Sequence, residues 1–270
     1  MSQLLASREI QQSGVVWRLP ADWLQGRTAF GGVIALMAAQ SMRDVAGQGW
    51  APEVSLLALQ TTFIGPLPQG LVRVEVELLR EGKNVRQVMA RVMACSDDIA
   101  ATVVGVFGSR RDSAITPHAP TRPEPKAHPA AVPSVPFRPG FSPAFTRHFD
   151  IRWDDGALPF SSTGGLATRV HLNLREDADV PTELMTILMA DACPTPLLGH
   201  FAEPTAASSM TWALELQAIE ISASHGRPRW WRADNEVLAT QAGYANQVTR
   251  LWAPDGSLAS LGYQVVAVFG

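Results

Sequence analysis

Apolar and polar positions change period along this chain, and the changes divide it. From Val33 to Met42 only Gln40 and Ser41 are polar, so the stretch Gly26 to Val45 predicts a helix that is apolar nearly all round and needs covering on most sides. A sheet wrapped about it is the simplest cover. A strand about Val15 to Leu19 precedes it, and beyond Pro52 the period falls to two. Ser55–Phe63 is a largely apolar run broken by Gly65-Pro-Leu-Pro-Gln-Gly70, and Leu71–Arg80 alternates, with Arg73, Glu75 and Glu77 on one face. Turns at Glu81–Asn84 and Cys95–Asp98 set off two more strands, Val85–Ala94 and Ile99–Gly108. One buried helix followed by a four-stranded antiparallel meander is an α+β unit, assigned to residues 1–108.

Between Pro117 and Pro143 stand nine prolines. Such a run has too few apolar side chains and N–H donors for a core, and it predicts an extended, polyproline-like linker over residues 109–144 that lies along the surface. Residues 145–270 then repeat the programme. Phe145–Trp153 and Thr168–Glu176 read as strands, Thr182–Pro196 as a helix, and Ser209–Gln217, Arg229–Gln241, Tyr244–Trp252 and Leu258–Phe269 as a second meander. The matching order of elements suggests a duplication.

Composition adds exclusions. A length of 270 residues, 46% of them hydrophobic and 17% charged, suits an ordinary globular chain with proper cores. The net charge of -3 gives no footprint for nucleic acid, and Arg227-Pro-Arg-Trp-Trp-Arg232 is too short to supply one; it reads as the start of a strand. Cys95 and Cys193 stand in no metal-ligand or disulfide-scaffold spacing, which favours a reduced, cytoplasmic setting. No leader pattern opens the sequence and no run of eighteen apolar residues occurs, so neither export nor membrane insertion is expected. The six histidines form no HxH or HExxH pair, and no metal or cofactor is expected.

Candidate chemistry begins in Thr182-Glu-Leu-Met-Thr-Ile-Leu-Met-Ala-Asp-Ala-Cys-Pro-Thr-Pro196. Leu184, Ile187 and Leu188 mark one apolar stripe, and the next position on it is Asp191. An ionised carboxylate there is costly unless hydrogen-bonded, so a retained acid has partners, works through a shifted pKa, or frays into solvent at the helix end. Pro194 and Pro196 end the helix within a turn of it. Gly31 and Gly32, at the start of the first helix, permit close approach of a ligand or of another backbone. Neither a GxSxG elbow nor a Walker A or GxGxxG loop is present.

Several motifs follow one another in a set order: Arg27-Thr-Ala-Phe-Gly-Gly32, Phe63-Ile-Gly-Pro-Leu-Pro followed by Leu79-Arg-Glu-Gly82, Ala190-Asp-Ala-Cys193, Ala207-Ser-Ser-Met-Thr-Trp212 and Ala253-Pro-Asp-Gly-Ser-Leu-Ala-Ser260. Their shared order, over most of the chain outside the linker, resembles the type II acyl-CoA thioesterases (TesB-like). The resemblance implies a double hot-dog, in which each unit has a buried helix wrapped by a curled antiparallel sheet. It also implies an acyl-CoA thioesterase in which an Asp, a Ser or Thr and a Gln hold and activate a water. Carried over, these fall on Asp191, Ser209 and Gln264, with Gly31 and Gly32 binding substrate. Counting from Leu258-Ala-Ser260 without a gap puts Tyr263 in the place of the Gln; a bulge near Gly262 would restore Gln264. Val33 stands where family members often carry Gln, so no second site is expected in the first half.

Two other readings stay open. An acyl-CoA binding protein or sensor would keep the fold without turnover. A hot-dog hydratase or dehydratase would need a histidine, His200 or His171, facing Asp191. Beyond acyl-CoA, the partner expected is a further copy of the chain, in a homodimer or higher homo-oligomer.

Overall fold

The structure, a computed structural model, describes residues 1–176, 179–219 and 230–270. A short helix α1 (Ser2–Ala6) and strands β1 (Glu9–Gln11) and β2 (Gly14–Leu19) precede a two-stranded hairpin, β3 (Leu24–Gln25) and β4 (Thr28–Ala29). Helix α2 (Gly31–Val45) and strands β5 (Ser55–Phe63), β6 (Gly70–Glu81), β7 (Val85–Ala94) and β8 (Ile99–Gly108) complete the first half. The second half holds β9 (Phe149–Asp155), β10 (Ala167–Leu174), α3 (Thr182–Ala190), β11 (Ala206–Leu216), β12 (Trp231–Gln241), β13 (Tyr244–Trp252) and β14 (Leu258–Phe269).

All strands but β3 and β4 join one antiparallel sheet, ordered β1-β2-β6-β7-β8-β5-β11-β14-β13-β12-β10-β9. Its two halves mirror one another about the central β5–β11 ladder, where Thr61 pairs with Trp212 and Leu59 with Leu214. This order corrects the expected four-stranded meander. Strands β6, β7 and β8 do form a meander, but β5 lies on the far side of β8, and β2 takes the place beside β6. The side chains explain the choice. Leu56, Leu59 and Thr61 are buried and the run around them is nearly continuous in apolar residues, which suits a central strand, whereas β6 carries Arg73, Glu75 and Glu77 on its outer face.

Helix α2 covers the inner face of β2, β6, β7 and β8, α3 that of β11 to β14, and the two helices pack on each other within a single hydrophobic core. Gly31 and Gly32 at the start of α2 meet Asp191 at the end of α3, while Arg43 in the last turn of α2 donates to Glu183 in the first turn of α3, so the helices run antiparallel. Helix α2 starts at Gly31, as expected of the glycine pair at its entry; Thr28 and Ala29 before it are spent in the β3–β4 hairpin and Phe30 turns the chain. Residues 145–148 similarly fall in a 3-10 turn, so β9 starts at Phe149. Of the segment expected to open β12, residues 227–229 lie outside the described residues, and the strand runs from Trp231.

The proline-rich segment is laid over the outer face of β9, β10 and β12. Few N–H groups are available in it, and its carbonyls are met by guanidinium donors. Arg152 Nη1 donates to the carbonyls of Pro129, Ala130 and Val132 at 2.9, 3.1 and 3.1 Å, Arg232 Nη1 to Pro123 at 2.6 Å and Arg169 Nη1 to Glu124 at 3.1 Å. Asp154 accepts from the N–H groups of Lys126 and Ala127. The segment departs from a pure polyproline course with a 3-10 turn at Pro129–Ala131 and a bridge between Ser134 and Arg152. Among the described residues no helix is long and apolar enough to cross a membrane.

Candidate active site

The apolar stripe predicted for α3 is present: Leu184, Ile187 and Leu188 are fully buried. Asp191 follows as the residue that ends the helix, at φ -109° and ψ 0°. Its side chain turns inward, toward the start of α2. Gln264 Nε2 donates to its Oδ1 at 2.7 Å, and the Gly32 N–H donates to the same carboxyl. The residue keeps some exposed surface, yet its carboxyl sits in dense packing between the helices, and this desolvation lifts its pKa from 3.8 to about 7 against the pull of both donors.

Both glycines are tight against this carboxyl. A Cβ on Gly31 would lie 2.6 Å from Asp191 Oδ2 and 3.1 Å from the Phe63 ring, and one on Gly32 would lie 2.6 Å from the Phe30 ring. Only glycine lets the N-terminal turn of α2 approach the acid so closely. That turn also carries backbone N–H groups without intrahelical acceptors and the positive end of the helix dipole.

Gln264 is buried on the inner face of β14, while Tyr263 is half exposed on the outer face. Strand β14 does slip by one residue against β13, at Ala259 between the pairs Trp252↔Leu258 and Leu251↔Ser260, and a second bulge lies across the ladder. On β11 the register slips at Met210, between the pairs Ser209↔Val266 and Thr211↔Val265. Directly opposed residues of an antiparallel ladder share a face, so Ser209 lies on the inner face with Val266, as Trp212 does with Gln264. Without the slip an odd spacing of three would put Ser209 and Trp212 on opposite faces. Phe63, which touches Gly31, follows the last residue of β5 in the β5–β11 ladder, so this bulge opens beside the start of α2. Asp191, Gln264, Gly31 and Gly32 therefore converge, and Ser209 shares their side of the sheet. Among the described residues its Oγ has no hydrogen-bond partner.

His200 and His171 are elsewhere. His200 Nε2 is 3.0 Å from the Gly165 carbonyl oxygen. His171 is buried under the proline-rich segment beside Asp154, Arg232 and Asp234, where desolvation lowers its pKa to about 4 and keeps it neutral.

Two buried polar ladders back the site and were not singled out in the sequence. Gln247 Nε2 donates to Gln264 Oε1 at 2.6 Å. Beside it Thr249 Oγ1 donates to Asn235 Oδ1 at 2.7 Å, and Asn235 also bonds the Cys193 thiol, whose pKa burial pushes up to about 12. The signal was available: in β13 the inward positions Ala245, Gln247, Thr249 and Leu251 put two polar side chains where the period-two pattern calls for apolar ones.

The family model described as Acyl-CoA thioesterase N-terminal domain matches residues 19–108, and the one described as Acyl-CoA thioesterase C-terminal domain matches residues 125–268. No curated protein sequence matches the chain. Among solved structures, a hot-dog protein of unknown function from Alicyclobacillus acidocaldarius superposes with a TM-score of 0.82 at 17% identity, covering 99% of this chain and 97% of that one. A putative thioesterase II from Thermobifida fusca gives 0.79 at 16% identity, over 99% and 98% of the two chains. A tesB protein from Mycobacterium avium subsp. paratuberculosis gives 0.74 at 18% identity, over 100% and 99%. At these identities the likeness establishes the hot-dog fold.

Proposed function

The chain belongs to the acyl-CoA thioesterase family, and from that premise we propose that it hydrolyses acyl-CoA with Asp191 as the base that activates a water. The observation that carries this reading is the Asp191 carboxyl itself, desolvated to a pKa of about 7 and held by Gln264 and the Gly32 N–H at the start of α2. A base titrating near neutral pH combines a large ionised fraction with real basicity.

In the proposed reaction, Asp191 takes a proton from a water whose oxygen attacks the thioester carbonyl carbon. Gln264 and Ser209 position that water. The new C–O bond pushes the carbonyl electrons onto oxygen, and the Gly31 N–H with the positive end of the α2 dipole receives the negative charge, the Gly32 N–H being held by Asp191. Collapse re-forms the carbonyl and breaks the C–S bond. The departing CoA sulfur takes the proton back from Asp191, leaving a carboxylic acid and free CoA.

Several further features belong to the same reading. Residues 1–108 and 145–270 form the two units of a double hot-dog, each half of the sheet curled about its helix, and residues 109–144 join them. The mirror order of the sheet supports this. The enzyme works in the cytoplasm on acyl-CoA of fatty acid metabolism, as a homodimer or larger homo-oligomer. The hydratase alternative loses its support, since His200 bonds a backbone carbonyl and His171 lies under the linker.

The test is hydrolysis of a short-to-long acyl-CoA series, followed by thiol release, for wild type, Asp191→Ala and Asp191→Asn. Turnover by wild type and a loss of about 10²-fold or more in both folded variants is expected. Binding without turnover in wild type would favour a sensor, and undiminished variants would remove Asp191 from the role of base.

A further inference from the structure

One buried amide on the inner face of the sheet has no part in the reaction just described. Gln247, on β13, stands directly across the ladder from Gln264 and is 4% exposed. Its Nε2 donates to Gln264 Oε1 at 2.6 Å, and Gln264 Nε2 donates to Asp191 Oδ1 at 2.7 Å. Two amides thus run in series with one polarity, ending on the carboxyl.

The polarity matters because a side-chain amide has an accepting end and a donating end of almost the same shape. An ionised carboxylate can only accept. With its NH2 toward Asp191, Gln264 favours the charged form; turned over, it would bring a carbonyl oxygen against the carboxyl and favour the protonated form. Gln264 by itself does not choose between these. A donor set opposite its oxygen does, and Gln247 is that donor.

Packing alone does not account for an amide at this position. The transverse row that contains Gln247, Gln264 and Trp212 continues through Thr61, Val103, Ala90 and Val76 in the first half. There, beyond the buried hydroxyl of Thr61 beside the central ladder, the inner face is built from fully buried Val103 and Ala90, with no amide. The amides occur on the side of the row that faces Asp191. Gln247 keeps its place although, among the described residues, its buried Oε1 has no hydrogen-bond partner, an unfavourable state for an amide.

We propose that Gln247 is a positioning residue: by donating to Gln264 Oε1 it fixes the direction of the Gln264 amide and so keeps that amide's NH2 on Asp191. The inference rests on the reading of Asp191 as the base. The groups that act on the carboxyl are Gln264 from β14 and the Gly32 N–H from α2; Cys193, two residues on, is neutral because burial raises its thiol to about 12.

The experiment compares full-length wild type with Gln247→Leu, which fills the space without a donor, and Gln247→Glu, which when ionised offers Gln264 only an acceptor. Gln247→Met replaces the Leu variant if that one does not fold. Expected in Gln247→Leu are a fall in kcat of about 10-fold with KM little changed, and an acid limb of kcat/KM moved to higher pH by about one unit. Gln247→Glu should lose more than Gln247→Leu, since it turns the Gln264 amide over. A merely structural role would lower Tm in both variants without moving the acid limb, and that outcome, or wild-type kcat in both, overturns the proposal.

Asp191→Asn is assayed alongside. If it turns over normally, Asp191 is not the base, and the claim about Gln247 is then decided by carbon-13 titration of the Asp191 carboxyl, assigned by its disappearance in Asp191→Asn. A midpoint raised in Gln247→Leu supports the positioning role, and an unmoved midpoint refutes it.

Discussion

At the scale of single residues, Asp191, the proposed base, lowers stability where it stands. Its folded pKa of about 7 lies above the 3.8 of an ordinary aspartate, so between these values the folded chain holds a proton that the unfolded chain has released. Stability therefore falls as pH rises from about 4 to about 7, and the full cost is present above that range. The Asp191→Asn variant should be more stable than wild type at pH 8, by a few °C in Tm measured calorimetrically, with the difference shrinking toward pH 4. In wild type kcat/KM should rise with pH to a plateau, with an apparent pKa of about 7 set by the same group. Gly31 is the most sensitive neighbour. A Cβ there would fall 2.6 Å from Asp191 Oδ2, the movable end of a side chain, so Gly31→Ala should fold but displace the carboxyl. Thioester hydrolysis should show a fall of about 10²-fold in kcat, while circular dichroism stays unchanged.

At the scale of elements, the two helices are tied at both ends by different chemistry. At one end the Gly31 and Gly32 turn meets Asp191. At the other, Glu183 accepts from Arg43 Nε at 3.1 Å and from the Leu56 N–H at 2.9 Å, while Arg43 Nη1 reaches the Val54 carbonyl at 2.8 Å. Glu183 thus joins α3, α2 and the start of β5 in a partly buried cluster. Replacing it by alanine leaves Arg43 and the Leu56 N–H short of an acceptor, and should cost about 2 kcal/mol and lower Tm by about 5 °C. Turnover per folded molecule should change far less, since Asp191 lies at the opposite end of α3; thermal denaturation and an assay at 25 °C separate the two effects.

At the scale of the whole molecule, the β5–β11 ladder makes one sheet out of two halves, and α2 packs on α3 inside one core. The proposed site draws on both: glycines of the first half, acid and amide of the second. A chain cut once within residues 109–144 should therefore remain a single particle in gel filtration, with its activity, because ladder and core hold the halves together without the covalent link. Separation of the two fragments after such a cut would contradict this. Much of this arrangement was legible beforehand. The period of two gave β6, β7, β8, β13 and β14 nearly to the residue, and the interrupted stripe on α3 marked the carboxyl that turns inward at its end. Other features were not. The place of β5 beside β8 and the contact of Gln264 with Asp191, 73 residues away, are both long-range.

The sequence by itself determined which segments become helix or strand, which face of each is apolar, and where a carboxyl interrupts an apolar face, because these depend on neighbours within one or two turns. Tertiary structure alone decided which of Tyr263 and Gln264 faces inward and which amide direction Asp191 meets. It also decided that Ser209 lies on the inner face. That last outcome rests on a slip of one residue at Met210. A strand's side chains alternate with a period of two, so one extra residue exchanges its faces, and whether the slip occurs is fixed by the partner strand rather than by the strand's own residues.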